Sequence, residues 1–149
     1  MIRFVLGRIL LVEAALMALP LAVTFFYGES AYPAFLVTMA MLVITSVALG
    51  LQQPEDNTIY AREGLCIVAL SWVVMSLFGA LPFYFSGAIP GFVDCLFETI
   101  SGFTTTGASI LTEVESMEHG LLFWRSFIHW IGGMGVLVFM MAVLPMTGG

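Results

Sequence analysis

Phe97-Glu-Thr-Ile-Ser-Gly-Phe-Thr-Thr-Thr-Gly-Ala-Ser109 is the stretch on which the reading of this chain turns. Its Thr104-Thr105-Thr106-Gly107 string follows an apolar segment, about Val93–Phe103, that is too short to cross a bilayer. At ~1.5 Å per residue that segment makes roughly 16 Å of helix, against a hydrocarbon core of about 30 Å. A helix that enters and cannot cross must turn back, here as an irregular Thr/Gly strand. Non-helical backbone at membrane depth persists only where protein buries it or where it lines a wet cavity. Loops of backbone carbonyls are also how selective cation pores replace an ion's water shell. Thr104-Thr105-Thr106-Gly107 therefore points to ion permeation.

The surrounding composition belongs to a membrane. The chain has 149 residues, 60% hydrophobic and 9% charged, where a soluble domain carries about 25% charged residues. No charged residue lies between Glu29 and Glu55, between Glu63 and Asp94, or after Arg125. Each gap holds the ~20 apolar residues that a spanning helix needs. Four long apolar segments are predicted: about Ile9–Tyr27, Tyr32–Leu51, Gly64–Phe85 and His119–Leu144, the last ending at Pro145. Pro20 is expected to kink the first. The first segment is read as a retained helix, because it exceeds the ~7–15 residues of a signal-peptide core and Glu13 interrupts it. Gly28-Glu-Ser-Ala31 is a tight turn, and Gln52–Glu63, with Pro54 and Asn57, is a loop. The fold class is an all-α membrane protein: four transmembrane helices plus one short re-entrant pore helix and its filter loop.

Arginine placement sets the expected orientation, since the inner side carries the positive excess. Arg3 and Arg8 precede the first span and Arg62 the third, which puts the N-terminus in the cytoplasm. The opposite side receives Glu29, Asp94, Glu113, Glu115 and Glu118. The last three either concentrate cations at a pore mouth through their field or form an ordinary solvated loop. A net charge of −6 argues against a nucleic-acid partner.

At the loop, Gly107 tolerates positive φ and lets successive carbonyls turn toward one axis. Threonines favour extended backbone and add a hydroxyl ligand. The short helix directs its negative C-terminal dipole at the ion. Glu98, deeper than Asp94, needs a partner inside the protein, and Arg125 is the candidate. His129 reads as a core or interfacial residue. Gly132-Gly133-Met134-Gly135 supplies small residues for close packing or a bend. Cys66 and Cys95 lack metal-type spacing and read as free thiols. Neither a nucleophile–base pair nor a metal cluster supports an enzyme.

Phe97–Ala108 resembles the first pore loop of the TrkH/KtrB/HKT superfamily of potassium transporters. So does Leu122-Phe-Trp-Arg-Ser-Phe-Ile-His-Trp-Ile-Gly-Gly-Met-Gly135, followed by Val143-Leu-Pro145. Arg62-Glu-Gly64 and Gly79-Ala-Leu-Pro-Phe83 fit as well. The two additional N-terminal helices resemble TrkH more than KtrB. This resemblance implies four non-identical helix–pore–helix repeats around one K⁺ pathway. Residues 1–61 would be two N-terminal transmembrane helices, and residues 62–149 the first repeat. Thr105 and Thr106 would ligate K⁺, and Gly107 would be the filter glycine, favouring K⁺ over Na⁺. The resemblance further implies a homodimer in the inner cell membrane, with a cytoplasmic nucleotide-binding regulatory subunit of TrkA type and no organic cofactor. One repeat supplies a quarter of a coordination ring, so the expectation is a portion of a longer reading frame. Half of a split transporter, a homotetrameric cation channel and a non-conducting membrane interaction subunit are the alternatives.

Overall fold

A computed structural model describes residues 1–53, 55–56, 58 and 60–147. Five helices follow in order: α1 (Ile2–Tyr27), α2 (Tyr32–Gly50), α3 (Ala61–Phe85), α4 (Phe92–Phe103) and α5 (His119–Thr147). No strand occurs among the described residues. Four helices are long and apolar enough to cross a membrane, with mean hydropathies of 2.3, 2.0, 2.2 and 1.4. The chain itself buries only 33%, 28%, 22% and 22% of those windows. Their remaining surface is apolar, with Phe26, Ile44, Leu65, Val73 and Met141 all exposed. Helices that are apolar on every side suit hydrocarbon rather than water.

The predicted elements hold, and their ends shift. α1 begins at Ile2 rather than Ile9, so Arg3 and Arg8 ride on its first turns. Charge ends an apolar window, but Arg is a good helix former. α3 likewise starts at Ala61, where the Tyr60 N–H donates to the Glu63 carboxylate at 3.4 Å. α5 continues through Pro145 to Thr147. α1 is unbroken through Pro20, whose carbonyl accepts the Thr24 hydroxyl at 2.9 Å. Pro54 and Asn57 of the predicted loop lie outside the described residues.

α1 and α2 form a close antiparallel hairpin. Gly28, at φ 65°, ends α1 in the left-handed conformation, and its lack of Cβ makes that turn cheap. Further down, the Ser46 hydroxyl donates to the Gly7 carbonyl at 2.6 Å. The Arg3 guanidinium donates to Gln52 at 3.1 Å, which puts the start of α1 and the α2–α3 loop at one end of the bundle. α1 also packs on α3 and α5, and α4 nests between α3 and α5. The core joins all five helices through Met17, Phe35, Phe83, Phe103 and Trp124.

At the other end, Glu29 caps α5 across the bundle. Its carboxylate accepts the backbone N–H groups of His119 (2.7 Å) and Gly120 (3.1 Å) and the His119 ring Nδ1–H (2.7 Å). A carboxylate at a helix N-terminus meets both orphan N–H groups and the positive end of the dipole. Tyr27 stacks on the His119 ring at 4.1 Å.

Candidate functional site

α4 has 12 residues and cannot span a bilayer, and the chain then runs back through exposed residues 104–110. Two glycine contacts fix where α4 ends. A methyl group on Gly132 of α5 would overlap the Phe103 carbonyl oxygen and lie 2.7 Å from its carbon. A methyl group on Gly102 would lie 2.5 Å from the Ile128 side chain. The glycine run thus provides close packing: Gly132 against the α4 backbone, and Gly135 against Trp72. Gly133 meets nothing nearer than Thr105 Cγ2, at 4.0 Å.

The helix closes with a paired backbone motif. Thr105 N–H donates to the Gly102 carbonyl at 3.0 Å, and Thr106 N–H to the Ser101 carbonyl at 2.9 Å. These are the two bonds of a Schellman ending, whose C′ position is usually glycine. Here Thr105 occupies it at φ 56°. The threonines therefore do not form the extended run expected from their type. Closing α4 takes precedence over strand propensity at Thr105. A β-branched residue at positive φ is an outlier, and such strain, ~1–3 kcal/mol, persists where the surroundings over-determine it. Gly107, at φ 80°, bends the chain a second time.

Hydroxyls and a carboxylate supply that over-determination. The Ser101 hydroxyl donates to the Ala108 carbonyl at 2.5 Å. The Thr104 hydroxyl donates to the Ile100 carbonyl at 2.7 Å and lies 2.8 Å from the Thr106 hydroxyl. With its proton committed to Ile100, Thr104 Oγ1 is the acceptor in that second pair. Thr106 Oγ1 donates, so its lone pairs stay free for a cation. Thr104 through Gly107 are exposed.

Glu98 clasps the outgoing limb. Its buried carboxylate accepts from the Ser109 hydroxyl (2.9 Å), the Ile110 N–H (3.1 Å) and Arg125 Nε–H (2.6 Å). The sequence-predicted Glu98–Arg125 pair is therefore present, and it joins α4, the loop and α5. His129, one turn on, donates Nδ1–H to the Arg125 carbonyl at 3.0 Å. Asp94 stays outside this cluster, in the exposed first turn of α4. Glu118 accepts the Ser30 hydroxyl at 2.8 Å, whereas Glu113 and Glu115 are exposed. Sequence reading missed the left-handed Thr105, the Glu29 cap and the hydroxyl bracing by Ser101; only the cap had a signal, an acid in one turn and a helix start elsewhere. Cys66 and Cys95 are free thiols. Among the described residues, no group of three or more His, Cys, Asp or Glu is placed to hold a metal ion.

Four long apolar helices and a short one that ends in an exposed, hydroxyl-braced turn define a multi-pass membrane protein. A family model described as "TrkH: Cation transport protein" matches residues 31–149. The chain belongs to this family. It is 38% identical over 147 residues to a Trk system potassium uptake protein TrkH of Salmonella typhimurium, covering 97% of this chain and 30% of that protein. A protein of the same name from Halomonas elongata is 33% identical over 150 residues, covering 99% of this chain and 31% of its own. The crystal structure of the potassium transporter TrkH from Vibrio parahaemolyticus superimposes with a TM-score of 0.90 at 31% identity, over 97% of this chain and 31% of that one. The chain thus spans about a third of the length of these relatives.

Proposed function

We propose that this chain takes part in K⁺ uptake across the cell membrane and supplies the first of four filter loops. Thr105 and Thr106 ligate K⁺, and Gly107 is the filter glycine. Residues 1–61 form two accessory helices and residues 62–149 the first helix–pore loop–helix repeat. One observation carries the reading: a helix too short to span ends in a strained, braced Thr-Thr-Thr-Gly turn. The names of the relatives support K⁺ as the transported ion. Arg3, Arg8 and Arg62 favour a cytoplasmic N-terminus, and the inner membrane is the expected compartment. The full-length protein would act as a homodimer with a TrkA-type nucleotide-binding subunit.

The test is Gly107→Ser in the full reading frame, expressed in a K⁺-uptake-deficient bacterial strain. A Cβ at this position meets nothing within 4 Å, but φ 80° strains any side chain. Growth on low K⁺ should be lost while the protein still reaches the membrane. Undiminished K⁺ uptake by the variant would remove the filter assignment.

A further inference from the structure

Glu13 lies midway along α1, fully buried, and neither carboxyl oxygen has a hydrogen-bond partner among the described residues. The space it occupies is made by Gly79 of α3. A methyl group on Gly79 would lie 3.4 Å from Glu13 Oε1, 3.0 Å from Thr99 Cγ2 and 3.1 Å from the Phe103 ring. The carboxyl therefore meets α3 at Gly79, where Thr99 and Phe103 of α4 also pack.

Among the described residues, no charged group is available to it. α2 contains no acidic or basic residue, and between Glu63 and Tyr84 the only ionisable group on α3 is Cys66, which is exposed. On α4, Glu98 is committed to Arg125, the Cys95 thiol donates to the Ile89 carbonyl, and Asp94 is exposed. On α5, His119 is held by Glu29, and His129 by the Arg125 carbonyl. The Trp124 ring N–H, nearest in kind to a donor, is committed to the Gly79 carbonyl at 3.0 Å. On α1 itself, Arg8 lies over the Phe4 ring and Arg3 bonds Gln52. An ionised carboxylate without a partner in such surroundings is far costlier than a neutral acid. An ionisable residue kept inside a membrane protein marks a working site.

We propose that Glu13 is a proton-binding site. It is a neutral carboxylic acid behind the first pore helix, and its proton exchanges with water only when the α1–α3–α4 contact opens. On release the proton passes to water and the carboxylate remains, so no further reactant is needed. The site lies between an accessory helix and α3, beside the filter-bearing helix, and does not depend on K⁺ passing through the loop.

Infrared spectroscopy of the full-length protein in lipid, at neutral pH, tests it without measuring transport. The wild type minus Glu13→Gln difference spectrum should contain the C=O stretch of a protonated acid. That stretch should shift only slowly in D₂O. Loss of an ionised carboxylate band in place of the acid band would overturn the proposal, and so would a shift complete on mixing. Should Glu13→Gln not fold, Glu13→Met serves for the same subtraction.

Discussion

Two helices of this chain end in the same way with opposite choices of residue. α1 closes with Gly28 N–H on the Phe25 carbonyl and Glu29 N–H on the Thr24 carbonyl; α4 closes with Thr105 on Gly102 and Thr106 on Ser101. Both C′ residues are left-handed, at φ 65° and φ 56°. Glycine takes that conformation freely at the hairpin, whereas threonine takes it under strain at the loop. A turn that only reverses the chain uses the residue that fits. At α4 an ill-fitting residue is held in place, which marks a turn kept for what its atoms do. Both turns are tied down, by different means. At the first, Glu29 holds the start of α5 and Tyr27 stacks on His119, so the ties reach across to another helix; at the second, Ser101 and Thr104 brace the turn from within α4, and Glu98 with Arg125 holds the outgoing limb.

The comparison breaks first at the clasp. Glu98→Ala leaves the Arg125 guanidinium, 20% exposed, without its carboxylate. Removing one partner of a buried pair costs about 3–5 kcal/mol. Melting of the purified full-length protein should fall accordingly, and K⁺ uptake should be abolished. A melting temperature equal to wild type would mean that the strained turn does not need the clasp. Next comes the contact behind the loop. Gly132→Ala forces a methyl group into the Phe103 backbone, an overpacking of about 1–3 kcal/mol, whereas Gly133→Ala should be nearly silent in melting. Equal effects at the two glycines would dismiss the close approach.

The third pair addresses the turns directly. Gly28→Ala should cost roughly 1–2 kcal/mol, the left-handed penalty, and leave uptake intact. Thr105→Gly relieves a similar strain but adds unfolded-chain entropy worth about 0.5–1 kcal/mol. Its melting temperature should therefore barely move, while discrimination between K⁺ and Na⁺ falls. Unchanged discrimination would make Thr105 a mere turn residue. The smallest effect belongs to Glu29. Partial burial pushes its carboxyl up, but the hydrogen bonds from Gly120 and His119 and the nearby His119 ring outweigh this, and the net shift is down. Such a group binds fewer protons folded than unfolded. Its stabilisation is present above the ordinary glutamate value of about 4.3 and is lost as pH falls through the lower folded value. Wild type should lose melting temperature over that window more steeply than Glu29→Gln, and parallel curves would discount the cap.

Much of this architecture was legible in the chain. Spans announce themselves because charge is excluded over stretches of bilayer length, and α4 announces itself by being too short. Glu98 and Arg125 could be paired on sequence because each needs an opposite charge at depth and few are on offer. Thr105 could not, since nothing in its type foretells left-handed backbone; the motif that imposes it is written in helix-end geometry rather than in propensity. The Glu29 cap joins residues 90 apart, and only the folded bundle brings them together. Gly120 gave no sign at all, although a methyl group there would overlap the Thr24 hydroxyl.

The contact at Gly132 has a mechanical side. No side chain lies between the α5 backbone and the carbonyl that ends α4, so no rotamer can absorb a displacement there. The joint is stiff in the sense of a hinge pin without a bushing. A slide or roll of α5 at Gly132 bears directly on the Phe103 peptide, and the next peptides in line are those of Thr104 and Thr105.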